Sequence, residues 1–464
     1  MSFVFYDTET TGKNWQFDQI LQLAAVRTNS ELEPIDEVQF ESRILPHVVP
    51  HPEALAVNGF TFERLTSRGL PSHYDMARAI RAKFQMWGKS MFMGFNSIRF
   101  DEQILRAAFY KTLHRPYLTV MDGNSRSDIL LLARAADLLA PGVLKIPVSN
   151  DGSPTFRLES LSVENGYNLG KAHEARGDVG ATLHLARILQ NEASSVWNNF
   201  MRFAQKSNVL QFIQDESIFG LADYFKGTPY SWLVTRLGVS TKDKNVHYVF
   251  DLQIDPGEIA GLNAGDLANR LIEFPRPLKK LKVNLCPIIF AVEEAPTGTK
   301  ALKIGDAELE RRVKRLRGDR ELVSRLLGAM EILAPVYPPS PYVEQQIFDT
   351  FTPDSDLIIA DQFHESSWPE RLHILNALQD PRLRVLGEEL IYFDHPNLLA
   401  REQRAVHAER HRRKVLGLDG DVPWLTIPSA VDILRTALSS CEAGERSRLN
   451  AQWSHLEQWR DSIS

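Results

Sequence analysis

Hydrophobic and polar positions along this chain follow two periods, and its character changes where the period does. Residues 3–6, 20–26 and 38–44 are short runs of β-favouring side chains set apart by turn residues, and 91–95 reads as another buried strand. Residues 74–87, 101–113, 128–139 and 179–190 instead carry apolar side chains three and four apart, the spacing of one helical face. The expected product is an α/β unit, a sheet covered by helices. Pro, Gly, Asn and Asp crowd residues 141–154, which predicts a surface loop ahead of a helix starting near Leu158.

Past residue 190 the pattern turns to strands over 230–239, 246–252 and 281–292, with one strongly basic helix over 308–330. Pro335, Pro338, Pro339 and Pro341 cannot continue a helix and mark a boundary. Beyond them the spacing is helical at 342–351, 369–378, 383–392, 401–416 and 429–459. A chain of 464 residues exceeds a single core, and the pattern divides it into domains at 1–190, 194–340 and 342–464. No internal repeat is evident.

Composition changes this picture little. With 43% hydrophobic and 24% charged residues, the chain is expected to be folded throughout. Cys286 and Cys441 lie far apart and outside Cys-x-x-Cys or Cys/His spacing, so neither a disulfide framework nor a structural zinc site is indicated, and a reducing cytoplasm fits. The opening residues lack a basic, apolar leader, and no stretch reaches the ~20 apolar residues of a membrane span, so a soluble cytoplasmic protein is expected. A net charge of −6 argues only weakly against a nucleic-acid partner, because clustering of basic residues matters more than their sum.

The candidate chemistry lies in the first 180 or so residues. Asp7 and Glu9 are two apart at the end of a strand, so both carboxylates project to one face, and two like charges held together call for a cation. Thr10-Thr11-Gly12 then turns the backbone, offering amides and hydroxyls to a sugar or phosphate. Taken alone, this is also what an ordinary strand-end turn looks like. Asp101 opens the helix after strand 91–95, where a helix cap would serve equally well. His173 stands five residues ahead of Asp178, which opens the helix over 179–190; a capping acid beside a solvent-facing histidine would read the same way.

It is the conjunction that carries information. The order of a strand-borne Asp-x-Glu, a Phe-Asp at a helix start and a His-x4-Asp resembles the DEDDh exonucleases, which have a ribonuclease H-like fold. The resemblance implies hydrolysis of a phosphodiester with two magnesium ions (Mg2+), which neutralise phosphoryl oxygens and activate water. It implies that Asp7 bridges both ions, that Glu9 and Asp178 complete the tighter site, and that Asp101 holds the second through water. His173 would be the general base, on a mobile loop.

The likeness runs the whole length, to those family members that add an SH3-like β-rich domain and an α-helical C-terminal domain. Tyr6-Asp7-Thr8-Glu9-Thr10, Arg99-Phe100-Asp101, Asp151-Gly152, Phe156-Arg157-Leu158-Glu159 and Asn284-Leu285-Cys286-Pro287 carry it. It implies a monomeric single-stranded-DNA-specific 3′→5′ exodeoxyribonuclease of DNA repair and recombination that releases 5′-mononucleotides. Glu9, Thr10 and Arg157 would contact the terminal nucleotide, although Arg157 could as well anchor a loop-to-helix junction. Candidate strand-gripping clusters are Arg276, Lys279, Lys280 and Lys282; Arg311, Arg312, Lys314, Arg315, Arg317, Arg320 and Arg325; and Arg404, Arg410, Arg412, Arg413 and Lys414.

The family also docks the acidic C-terminal tail of single-stranded DNA-binding protein. Here Ala140 replaces an expected basic residue and Asn199 stands near an expected tyrosine, so the docking site is not mapped. The alternatives are an exoribonuclease or proofreading exonuclease with the same metal site, and a non-catalytic nucleic-acid-binding scaffold.

Overall fold

The computed structural model describes residues 2–168, 175–441 and 443–463. Its first sheet holds β1 (Phe3–Thr10), β2 (Ile20–Thr28), β3 (Pro34–Glu41), β4 (Met91–Gly94) and β5 (Ser125–Asp128), in the order β3-β2-β1-β4-β5. β1 pairs antiparallel with β2 and parallel with β4. β1 is buried on both faces, which is why its sequence is apolar at every position from Phe3 to Tyr6. Phe3 and Phe5 enter one core with residues of the helices Ile129–Leu139, Ala175–Glu192 and Ser194–Phe203. Val4 and Tyr6 enter the opposite core with residues of the helices His73–Trp87 and Asp101–Lys111.

A second five-stranded, wholly antiparallel sheet follows. It holds β6 (Phe219–Phe225), β7 (Thr228–Val239), β8 (Val246–Asp251), β9 (Leu278–Lys282) and β10 (Ile288–Phe290), in the order β10-β6-β7-β8-β9. Lys226 and Gly227, both with positive φ, make the tight turn between β6 and β7. Helices then dominate from residue 354 to 463, and they share apolar clusters with the amino-terminal region. Leu21, Leu55 and Phe60 pack with Ile427 and Leu434, and Tyr110 and Leu113 with Phe363 and Leu386.

Several sequence expectations are corrected. The strand expected over 281–292 is two strands, β9 and β10, split where Cys286 takes φ +48°. Its apolar run continues through the break because Val283 and Cys286 are buried as well. The basic helix over 308–330 is two helices, Asp306–Gly318 and Arg320–Ile332, and the Asp319 side chain caps the second by accepting from Leu322 N. The segment 342–351 holds only a 3-10 turn, Val343–Phe348, and 429–459 is divided into Ile427–Ser440 and Ala443–Ile463. β6 was not expected, since Gly220 and Asp223 interrupt a short run that lacks strand-like alternation. Among the described residues no helix is long and apolar enough to cross a membrane.

Gly220 sits opposite Phe290 across β6 and β10, and a Cβ there would lie 1.9 Å from the ring. Gly220→Ala should therefore overpack this seam and cost about 1–3 kcal/mol, seen as a melting temperature several degrees lower. An unchanged melting curve would show that the ring moves aside freely.

Candidate active site

β1 leaves its apolar stretch at Asp7, and the same alternation then distributes polar groups between the two faces. Asp7 and Glu9 continue the face of Phe3 and Phe5, which packs against the helix Ala175–Glu192. Asp178 lies in the first turn of that helix. Asp7, Glu9 and Asp178 each bring one carboxylate oxygen to within 4.8 Å of the others, and all three are partly open to solvent. Thr8 continues the other face and meets Asp101: its backbone N–H and hydroxyl donate to Asp101 Oδ1 at 3.0 and 2.6 Å. Asp101 is buried at 5% exposure and stands beside the three-acid group rather than within it. His173, the expected general base, lies outside the described residues.

Side chains that the sequence reading passed over hold these acids in place. Asp128 ends β5 and accepts from Asn96 N at 3.0 Å, Ile98 N at 3.1 Å and Leu130 N at 2.9 Å. It thereby caps one helix and ties down the loop that delivers Asp101, in which Asn96 adopts φ +62°. Gly94 is required here, because a Cβ would lie 2.7 Å from both Tyr6 O and Ser97 Cβ. Gln22, buried in β2, accepts from Ala175 N at 3.2 Å and so fixes the start of the helix bearing Asp178. Within that helix Gly180 leaves room for the Tyr167 hydroxyl, 2.3 Å from where a Cβ would stand. An acid placed immediately before a helix start is the one sequence signal that could have found Asp128.

The electrostatics follow from crowding. Burial pushes the Asp7 carboxyl well up, and the charges of Asp101, Asp178 and Glu9 push it further. Glu9 is raised to about 8 by burial and then by Asp178 and Asp101. Burial lifts Asp101 to about 7 against the opposing hydrogen bonds from Thr8, and lifts Asp128 to about 6. A site that resists ionisation of its own acids becomes favourable when a cation shares them. Hard oxygen donors suit magnesium-like ions.

The expected substrate residues are placed as follows. The hydroxyl of Thr10 donates to Gly12 O at 2.7 Å and that of Thr11 to Asp18 Oδ1 at 2.8 Å, so both are spent inside the turn. Arg157 precedes the helix Leu158–Glu164 and is exposed, and its guanidinium has no hydrogen-bond or ion-pair partner among the described residues. Asp101's helix is anchored next door: Glu102, 1% exposed, accepts from Arg106, Arg126 and Thr119. Arg126 also donates to Asn284 O at 2.8 Å, in the turn between β9 and β10. A cleft of about 1160 Å3 opens between this turn, the loop 96–99 and the second sheet. Arg99, Arg134, Arg276, Lys279, Lys280 and Lys282 line it, with Trp15, Trp232 and Phe274 among them.

The basic cluster over 308–330 is partly spent internally, and the carboxy-terminal one largely so. Arg311 and Arg312 pair with Glu308, and Arg325 donates to Ala260 O and Leu262 O. Arg410, Arg413 and Lys414 pair with Glu389, Asp419 and Glu344.

Comparison with known proteins agrees with this geometry. Residues 4–185 match the family described as Exonuclease (RNase_T). Exodeoxyribonuclease I of Escherichia coli (strain K12) is 27% identical over 372 residues, 76% of this chain and 77% of that protein. The Haemophilus influenzae enzyme of the same name is 30% identical over 306 residues, 62% of this chain and 64% of that protein, just under two thirds of its length. Among solved structures, exonuclease I from Methylocaldum szegediense superposes with a TM-score of 0.85 at 24% identity, covering 100% of this chain and 99% of that one. E. coli exonuclease I in complex with a dA16 oligonucleotide gives 0.85 at 23%, covering 99% of each chain.

Fold and acidic site together define a nuclease whose amino-terminal unit is an exonuclease domain of ribonuclease H-like α/β form. Within that class, the chain is a homologue of exodeoxyribonuclease I.

The raised Glu9 carboxyl carries a stability consequence. Its folded value near 8 exceeds the ordinary 4.5, so its contribution to stability is full below about 4.5 and is lost as pH rises through about 8. In chelator, the melting temperature should fall across that window and fall less in Glu9→Gln. Equal slopes for the two proteins would show that Glu9 ionises without penalty.

Proposed function

We propose that this protein is a single-stranded-DNA-specific 3′→5′ exodeoxyribonuclease that releases 5′-mononucleotides and serves DNA repair and recombination. The observation that carries this reading is the convergence of Asp7, Glu9 and Asp178 within 4.8 Å, with Asp101 hydrogen-bonded to the intervening Thr8. The oxygen-only donor set fits two magnesium ions. When bound, they would supply the charge that neutralises the scissile phosphate and readies a water for attack. Asp7, Glu9 and Asp178 would hold one ion, and Asp7 with Asp101 the other. His173 takes the proton of the attacking water, its ordinary pKa near neutrality suiting that task.

Support for single-stranded DNA comes from the cleft beside the acids. Its cations and interleaved aromatic rings match what a flexible strand needs, charge along the backbone and flat surfaces for unstacked bases. Lys279 Nζ lies 4.0 Å from the Trp232 ring centre, which combines the two elements. The E. coli exonuclease I structures with dA16 and dT13 oligonucleotides lend the same reading to this chain. Arg157 is free to meet the terminal phosphate, with Glu9 and Thr10 lying against the 3′ nucleotide.

Domains at 1–190, 194–340 and 342–464, the second SH3-like, monomeric action in the cytoplasm and docking of the acidic tail of single-stranded DNA-binding protein complete the proposal. Asn199 is engaged with Glu294 at 3.2 Å and Ala140 ends the helix Ile129–Leu139, so neither reproduces the expected docking groups.

Two substitutions and one product analysis test the assignment. Asp178→Ala should abolish magnesium-dependent hydrolysis while strand binding persists, and undiminished activity would sink the site. His173→Ala should lower kcat about 100-fold or more with little change in strand affinity; equal losses in both would remove its role as base. On end-labelled substrates, single-stranded DNA should yield mononucleotides from the 3′ end only with magnesium present, whereas efficient RNA digestion would favour the exoribonuclease alternative.

A further inference from the structure

Two carboxy-terminal helices, Pro381–Asp394 and Arg401–Leu416, face each other through a polar cluster that the nuclease chemistry does not use. His407 and His411 are four residues apart, so their rings share one helical face. Glu389 reaches the same point from the opposite helix. One donor atom from each of the three lies within 4.8 Å of the other two, and all three residues are only 7% exposed.

His407 Nδ1 and His411 Nε2 are buried without a hydrogen-bond partner, and His411 makes no hydrogen bond among the described residues. Orphaned ring nitrogens beside a buried carboxylate are costly unless something joins them.

The surroundings favour a metal over a proton as the joining group. Glu388 Oε2 lies 3.8 Å from His407 Nε2, a carboxylate placed to favour the ring proton on that side and so the lone pair on Nδ1. Phe393 stacks on His411 with centroids 5.1 Å apart, and Tyr392 stacks on His407 at 5.0 Å, so the rings are held in orientation and shielded. The nearby cations are otherwise engaged. Lys414 pairs with Glu344 at 2.6 Å, and Arg410 reaches Glu389 Oε1 at 3.0 Å from a position 42% exposed, leaving the second carboxylate oxygen for a ligand.

We propose that Glu389, His407 and His411 bind one zinc-class divalent ion, with water as the fourth ligand. Two imidazoles and one carboxylate suit such an ion, whereas magnesium prefers oxygen donors throughout. In a tetrahedral zinc site the donor atoms stand about 3.3 Å apart, a separation that side-chain rotation can reach from the observed arrangement. The sequence reading excluded structural zinc on the cysteines alone, and this site needs none. Its role is that of a staple. The helix Pro381–Asp394 already grips the amino-terminal region through Asp394 to Arg43 at 2.9 Å and through Phe393 stacked on His47 at 4.9 Å. Fixing it to Arg401–Leu416 locks the carboxy-terminal helices to the exonuclease domain.

The test uses the full chain with Asp7→Asn and Glu9→Gln, so that zinc held by the catalytic acids does not confuse the count. After loading with zinc chloride and dialysis, one equivalent should remain by elemental analysis, and the melting temperature should rise above that of the chelated protein. Adding His407→Gln and His411→Gln should remove both effects. Absence of zinc from the parent variant, or retention of it after the histidine changes, overturns the proposal. Should the doubly changed helix fail to fold, Glu389→Gln is titrated with zinc instead; binding at least tenfold weaker supports the site, and unchanged binding overturns it.

Discussion

Mutual repulsion among carboxylates that the fold forces together is the constraint on which this structure turns. Asp7, Glu9 and Asp178 converge at one end of the first sheet, with Asp101 directly beneath, and each raises the cost of ionising its neighbours. Left to itself, such a cluster would spread apart. Hydrogen-bonded restraints keep it closed: Thr8 grips Asp101 with two hydrogen bonds, Gln22 pins the helix of Asp178, and Asp128 gathers the loop leading to Asp101 with two. These restraints hold geometry without neutralising charge, which leaves the negative potential available to a cation.

The same logic extends outward to the cleft. Arg126 compensates Glu102, one residue beyond Asp101, and with its other arm holds the carbonyl of Asn284. One buried ion pair therefore joins the helix of a site acid to the turn that leads into β10, while β9, at the other end of that turn, carries Lys279, Lys280 and Lys282 along the cleft. A buried pair of this kind contributes little net stability once desolvation is counted, and its value here lies in fixing the relative position of two elements. Gly220 and Phe290 serve the same junction by letting β6 and β10 close tightly, and Phe290 joins the apolar core of the exonuclease domain.

Much of this was legible in the chain. The strand-borne Asp7 and Glu9 and the helix-opening Asp101 and Asp178 were visible because alternation and helix starts are local properties, and the structure brings all four together. The passage from mixed strands and helices to strands and then to helices was also readable from period alone. What escaped was long-range. Asp128 looks like a plain cap until its carboxylate is seen holding Asn96 and Ile98 as well, and Gln22 looks like one polar residue in an apolar strand. Of three basic clusters, only the structure shows that members of two are engaged with Glu308, Glu389, Glu344 and backbone carbonyls, while that of β9 lines the cleft. The single strand expected over 281–292 failed for a related reason, since burial continues through a turn whose direction no local run of apolar residues records.

The alternation of β1 has a consequence for how this chain can vary. Odd positions send carboxylates to one side of the sheet, and even positions send Thr8 to the other. Sliding the pairing of β1 against β2 by one place would swap these assignments wholesale, driving Asp7 and Glu9 into the layer of Val4 and Tyr6. An inserted or deleted codon within this strand is therefore far more damaging than one in the connection after Gly12, because it inverts the polarity of both surfaces at once. Mutational tolerance along these few residues is set by parity rather than by side-chain size.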